Sequence, residues 1–234
     1  MEAIQTETSL AQFVNETAQK EQNKGVFELE SNSMLEINLK GKVWTKIGAM
    51  VAYRGNIKFE REGAFEGGLG KFIKKAVTGE ATILTAATGE GKLYVADHHK
   101  YITILRLNNE SVNVQGNDVL AFEDTVKYDV KMIKSVAGML SGGLFCVRLE
   151  GTGMVAITSH GHPMTLKCSP ASPVFTDPNA TIAWAGNIFP KIKIDASLKT
   201  LLGKGSGETF QMEFNEEGFV VIQPYEETYA AASA

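Results

Sequence analysis

Val51-Ala-Tyr-Arg-Gly-Asn-Ile57, Leu120-Ala-Phe-Glu-Asp-Thr-Val126 and Ile182-Ala-Trp-Ala-Gly-Asn-Ile188 share one pattern: aliphatic, alanine, aromatic, any residue, turn residue, polar, β-branched. A second pattern, glycine leading an apolar strand, precedes each of them. It reads Gly41-Lys-Val-Trp44, Gly89-Glu-Gly91-Lys-Leu-Tyr-Val95 and Gly151-Thr-Gly153-Met-Val-Ala-Ile157. Thirty residues separate Gly91 from Ala121, and thirty separate Gly153 from Ala183. Two unrelated loops rarely give the same count, so the chain is read as an internal repeat. A fourth glycine strand, Gly218-Phe-Val-Val-Ile222, closes the chain without an alanine–aromatic segment after it. The expectation is three quasi-equivalent β modules, with the C-terminal strand pair completing a truncated first module. Closure of this kind removes free sheet edges.

Working outward, runs such as Tyr101-Ile-Thr-Ile-Leu-Arg-Leu107 are β-branched and apolar, and turn residues bound them about every ten positions, an all-β signature. One segment reads as helix. Ser9-Leu-Ala-Gln12 is a capping box, and Leu10, Phe13, Val14 and Thr17 follow at helical spacing. The spacing predicts a helix at about 9–20 inside an N-terminal arm, 1–24, lying against the outside of the sheet. A single β domain follows over 25–225, with repeats at about 34–80, 81–143 and 144–225. Residues 226–234 read as a frayed tail. Between modules, Leu69–Val77, Met132–Leu140 and Ala196–Leu202 mix Lys with apolar residues and read as short crossovers.

Composition bounds the function. The chain has 234 residues, 44% hydrophobic and 21% charged, enough for a core without disulfide or metal. Lys plus Arg is 23 against 27 acids, a net charge of −4, which disfavours general nucleic-acid binding. No long apolar run predicts a spanning helix, and MEAIQTETSL at the start is neither a secretory nor a transit leader. Cys146 and Cys168, with no CxxC, suit a reducing compartment, and a cytoplasmic location is expected.

These residues resemble a known family. Phe27-Glu-Leu-Glu-Ser31, Gly48-Ala-Met-Val-Ala-Tyr-Arg-Gly55, the Gly89-x-Gly91 strand, Leu120-Ala-Phe122, Gly142-Gly-Leu-Phe145, Gly151-Thr-Gly153, Gly205-Ser-Gly-Glu208 and Phe219-Val-Val-Ile-Gln-Pro224 carry the resemblance. It is to the altered-inheritance-of-mitochondria family, over nearly the whole chain. Asn215-Glu-Glu-Gly218 departs from the double-glycine form of the earlier copies. The resemblance implies a fold like that of the tryptophan-RNA-attenuation protein (TRAP), a double-stranded β-helix or jelly-roll-like barrel. It also implies a link, for mitochondrial members, to inner-membrane organisation and assembly of protein complexes. It brings no catalytic residue set.

Four histidines fall in two pairs, His98-His99 and His160-Gly-His162. Each pair begins seven residues after its glycine, Gly91 or Gly153, so both are placed at equivalent hairpin tips. An HxH on a strand turns both imidazoles to one face and can hold a metal. Pro163 interrupts that strand, and Asp97 could add a ligand only if two modules brought their tips together; surface turn histidines are the preferred reading. Gly203-Lys-Gly-Ser-Gly207 has the composition of a phosphate loop without its spacing. Cys146 and Cys168 read as buried, inert thiols. Glu60/Glu62, Glu123-Asp124 and Glu216-Glu217 read as solvated turn acids. Lys71-Phe-Ile-Lys-Lys75 is a modest basic patch, more a crossover than a membrane or RNA surface.

No catalytic, metal or cofactor residues are assigned. The function expected is a non-catalytic scaffolding or protein-binding β protein, self-associating or bound to a protein partner. A small-ligand or nucleic-acid binding module is the alternative, and a cupin-like metal enzyme comes third. DNA is not expected as a partner; RNA and an anionic membrane surface stay open.

Overall fold

The computed structural model describes residues 7–22, 25–61, 84–133, 144–194 and 210–227. The Lys-bearing crossovers beyond Ile133, the basic patch at 71–75 and the 203–207 glycine loop lie outside them. One helix, α1 (Leu10–Glu16), precedes fourteen strands. They are β1 (Phe27–Ser31), β2 (Met34–Lys46), β3 (Met50–Arg61), β4 (Leu84–Val95), β5 (Tyr101–Gln115), β6 (Val119–Glu123), β7 (Val126–Ile133), β8 (Leu144–Ser159), β9 (Met164–Cys168), β10 (Val174–Thr176), β11 (Thr181–Ala185), β12 (Lys191–Ile194), β13 (Phe210–Phe214) and β14 (Gly218–Ile222). The all-β class is as expected.

Ser9 caps α1, its side chain accepting from the Gln12 amide at 3.2 Å. The helix is shorter than expected and does not pack on the sheet. Leu10, Phe13 and Val14 are 78%, 56% and 58% exposed. Three apolar side chains on two turns offer too narrow a stripe to outweigh the ordering of the arm.

The strands run in the order β3-β4-β2-β6-β8-β5-β11-β14-β9, with β1 on β2 and β7 on β8; β10-β13-β12 form a separate small sheet. All assigned pairings are antiparallel. Each alanine–aromatic segment pairs with the glycine-led strand that follows it in the chain. Tyr53 faces Leu93, Phe122 faces Val155 and Trp184 faces Val220, each partner two residues past Gly91, Gly153 or Gly218. On the other side of the glycine strand, Leu39 faces Gly91, Leu107 faces Gly153 and Cys168 faces Gly218. The C-terminal strand β14 therefore does not complete the first module, as sequence order suggested. It is the partner of Trp184, and the aromatic segments belong with the strand after them, not the one before.

Glycine fixes this register. Gly89 and Gly91 have φ of +131° and +155°, and Gly151 and Gly153 repeat them at +126° and +157°. A Cβ at Gly91 would run into the Arg54 carbonyl oxygen on β3. The neighbouring backbones approach so closely that only hydrogen fits. In β5 the register shifts between Asn108 and Glu110, where Asn109 takes φ +56°, a one-residue bulge in a side chain that tolerates that region.

Three clusters of buried side chains fill the molecule. Leu35, Ile37, Leu93 and Ile102 lie in the first, Val114, Phe122, Leu149 and Ile182 in the second, and Trp184, Met212, Phe214 and Val220 in the third. β8 supplies all three, through Ala156, Val155 and Cys146 respectively. Trp184 is 1% exposed, and its indole N–H donates to the Ile188 carbonyl at 3.0 Å, satisfying the one polar atom the ring carries.

Replacing Gly91 by alanine should cost about 2 kcal/mol or more, from the left-handed backbone and the Arg54 clash together. Urea unfolding of G91A against Gly161→Ala, which shares a positive φ (+75°) but has 3.5 Å of room to Pro224, separates the clash from the backbone cost.

Candidate functional site

The residue types that carry chemistry gather at one end, where the β4–β5 and β8–β9 connections and the C-terminal segment meet. Neither connection is a hairpin tip. β4 pairs with β2 and β3, β8 pairs with β5, β6 and β7, and β9 pairs with β14, so each loop joins strands that do not pair with each other. The seven-residue spacing from a glycine recurs at Tyr225, seven residues after Gly218. The three segments touch: the His160 ring lies 4.1 Å from that of Tyr225, Nε2 of His160 is 3.3 Å from Glu227, and Glu227 also accepts from Lys100 of the β4–β5 connection.

Beneath them lies a buried ionic cluster. Asp97, Lys100 and Asp118 are 4%, 5% and 1% exposed. Lys46, the last residue of β2, sends its ammonium to Asp97 Oδ2 at 2.8 Å and to the Asn117 carbonyl at 2.6 Å. The Lys100 ammonium donates to Asp118 Oδ1 at 3.0 Å and, by a very short contact, to Glu227. Thr158 on β8 donates to Asp97 at 3.3 Å. The turn itself is tight: Lys100 N–H donates to the Asp97 carbonyl at 2.8 Å, and His98 and His99 take φ of +47° and +62°.

Burial and charge oppose each other here. Burial works to raise the Asp97 pKa, but its hydrogen bonds to Lys46 and His98 prevail and hold it below the usual carboxylate value. Burial also disfavours charged Lys100, yet Asp118 and Glu227 keep its pKa above the lysine norm. For Asp118 burial prevails over Lys100, and the carboxyl is pushed up to about 6.

The histidines do not converge. His98 is 90% exposed and touches Asp97 at 3.0 Å; His99 Nδ1 pairs with the Ser33 hydroxyl at 3.1 Å; His162 packs on Tyr101 at 4.5 Å between ring centres. The two loops do come together, as a shared metal site required, but Asp97 faces lysines and His160 faces Glu227. Among the described residues no group of three or more His, Cys, Asp or Glu is placed to hold a metal ion. Glu227, placed in a frayed tail by sequence, is anchored: its amide donates to the Asn179 carbonyl at 3.1 Å.

The other singled-out groups are structural. Glu123 is half-buried and not a solvated turn acid: it accepts from the Met154 amide at 2.5 Å, while Asp124 holds Lys42 at 3.0 Å and the Trp44 indole at 3.1 Å. Glu216 and Glu217 are exposed turn residues, and Glu60 is half-buried at a strand end. Cys146 and Cys168 are buried free thiols, and burial pushes Cys146 up to about 11. The N-terminal arm lies on a second acidic patch. Gln19 donates to the fully buried Glu36 at 2.9 Å, and Lys92 bridges Glu21 and Glu36, each at 2.6 Å. Burial disfavours the Lys92 charge, but these two acids outweigh it and hold its pKa above the ordinary lysine value.

Lys46, Lys100, Asp118, Thr158 and Glu227 carried no motif in the sequence. The one available signal was Asp97-x-x-Lys100, opposite charges closing a turn between two strongly apolar strands.

The family model described as "Mitochondrial biogenesis AIM24" matches residues 27–225. Among solved structures, the crystal structure of protein SPYM3_0169 from Streptococcus pyogenes is similar, with 24% identity and a TM-score of 0.69. It covers 86% of this chain and 92% of its own. At that identity the likeness is one of fold. No curated protein matches. No helix among the described residues is long and apolar enough to cross a membrane.

Lys100→Met leaves Asp118 buried without its cation, and should cost about 3–5 kcal/mol at neutral pH. The Asp118 pKa, already above its unfolded value of 3.8, then rises further. A carboxyl raised in the folded state binds protons there first, so stability increases as pH falls toward the raised pKa. The deficit of the variant should therefore narrow as pH is lowered from 8 to 6, measured by denaturant unfolding at each pH.

Proposed function

We propose, from the premise that this chain belongs to the mitochondrial biogenesis AIM24 family, that it is a non-catalytic scaffold or protein-binding β protein. It acts in the cytoplasm as an oligomer and supports the assembly of protein complexes. The observation that carries this reading is the disposition of its side chains. The convergent charges, Lys46, Asp97, Lys100, Asp118 and Glu227, are turned on one another. Apolar side chains such as Val51, Tyr53 and Phe13 stand exposed at the periphery. Charges that neutralise each other in a buried cluster hold loops in place, whereas exposed apolar groups are what a protein partner covers.

The finer architecture belongs to the same proposal. Each module is an alanine–aromatic strand and a second strand on either side of a glycine strand: β2/β3/β4, β5/β6/β8 and β9/β11/β14. The identical facing of Tyr53, Phe122 and Trp184 against the glycine strands supports the equivalence. Three such modules form the TRAP-like, double-stranded β-helix or jelly-roll-like barrel implied by the family resemblance.

Native mass spectrometry of protein purified without chelator tests the function. The expected spectrum is one integer oligomer carrying no adduct, with no salt-sensitive retention on RNA or anionic vesicles. A stoichiometric metal or small-molecule mass, or low-salt binding to RNA, would replace the scaffold by a ligand-binding function. The double variant His160→Ala/His162→Ala should keep the sheet intact and cost about 1–2 kcal/mol, since His162 is exposed and half-buried His160 loses only its contacts with Tyr225 and Glu227. Circular dichroism and thermal unfolding check this.

A further inference from the structure

Two joints between neighbouring modules recur in one register, and the third is missing. At the first, β2 pairs with β6, Val43 facing Glu123, Trp44 facing Phe122 and Thr45 facing Ala121. At the second, β5 pairs with β11, Val112 facing Ala185, Asn113 facing Trp184 and Val114 facing Ala183. The segments that make these joints occupy one place in their modules: Val43 faces Ala87 and Val112 faces Leu149, each four residues before Gly91 or Gly153. In the third module that place belongs to β10. Val174 faces Phe214, four residues before Gly218. β10 should therefore receive an alanine–aromatic strand on its free side, as β2 and β5 do.

The strand left over is β3. Its counterparts are sealed: Leu120, Phe122, Ile182 and Trp184 are 0–1% exposed. Val51 and Tyr53 in β3 are 54% and 49% exposed, and Phe175, in the place of Trp44 and Asn113, is 45% exposed. β3 ends the large sheet and β10 ends the small one, and among the described residues neither outer edge carries a strand. Each edge offers what the other lacks, yet within the chain they are not paired.

We propose that β10 of one copy of this chain pairs with β3 of a second copy, antiparallel, with Phe175 opposite Tyr53. The proposal deepens the scaffold reading above and rests on it. The shared register sets the remaining pairs: Val174 opposite Arg54, Thr176 opposite Ala52 and Asp177 opposite Val51. No like charges face each other, and the two exposed aromatics meet as a cross-strand pair, as Trp44 and Phe122 do at the first joint. A strand added in this way continues the sheet and covers an edge that otherwise invites unspecific pairing. The contact is head-to-tail, so it propagates to a ring or a chain of copies.

Tyr53→Cys and Phe175→Cys, made in separate preparations, are mixed and oxidised mildly; the native cysteines are buried. A disulfide-linked dimer is expected in the mixture, and not when either variant is mixed with wild type. Light scattering should show wild type as an oligomer, and Tyr53→Asp or Phe175→Asp should weaken its association at least about tenfold while leaving the circular-dichroism spectrum of the chain unchanged. A wild-type oligomer with no cross-link in the mixture overturns this interface and leaves the scaffold reading standing. In the double variant, a link confined to one monomeric chain overturns it too, because the barrel then closes on itself. A wild-type monomer that retains RNA or a small ligand overturns both.

Discussion

The close backbone approach at the glycines of β4 is the constraint on which the rest depends. At Gly89 and Gly91 the strand lies against the carbonyls of β3 with no room for a side chain, so a slip of one residue would put a Cβ into the neighbouring backbone. That fixes which residue of the alanine–aromatic segment faces which residue of the glycine strand. Phe122 and Trp184, facing their glycine strands in the same register as Tyr53, are buried, whereas Tyr53 is 49% exposed. β2 meets β6 and β5 meets β11 in one register although β5 carries an extra residue. The bulge at Asn109 absorbs that residue before it can displace the joint.

The polar cluster under the loops obeys a different logic. Lysine and aspartate are expensive to bury, and here each is tolerated because another arrives from a different strand: Lys46 from β2, Asp97 and Lys100 from the β4–β5 turn, Thr158 from β8, Glu227 from the C-terminal segment. Apolar packing holds the strands along their length, while ion pairing ties the β4–β5 connection to β2 and to the C-terminal segment. Removing one member leaves its partner in a low-dielectric site, so the cluster behaves as a unit and not as a sum of pairs.

The all-β class was legible in the sequence from β-branched and apolar runs bounded by turn residues. The glycine doublets Gly89/Gly91 and Gly151/Gly153 fall in β4 and β8, strands paired on both sides. Assignment of partners was not legible. An alanine–aromatic segment has a glycine strand on either side of it in the chain, and linear order cannot say which one it pairs with; Trp184 facing Val220 and not Val155 is decided by three-dimensional packing. The candidate site was less legible still. His98, His99, His160 and His162 drew notice because histidine is rare, yet they stand around the cluster. Asp118 and Lys100 look like ordinary turn charges until the strands on both sides are known to be covered. The helix was found by its capping box, but its exposure was not foreseen, since three apolar residues look the same in sequence whether or not a surface awaits them.

Glu227 reaches back across 127 residues of sequence to Lys100, and its neighbour Tyr225 rests on His160. A contact of that span cannot form until nearly the whole described chain has left the ribosome. Until then the β4–β5 and β8–β9 loops lack this clasp, and Lys100 has only Asp118 and Asp97 to balance it. Without Tyr225 and Glu227 every described strand would remain, yet the junction of the loops would lose a counter-charge and a ring contact, so it would open more readily than the strands beneath it.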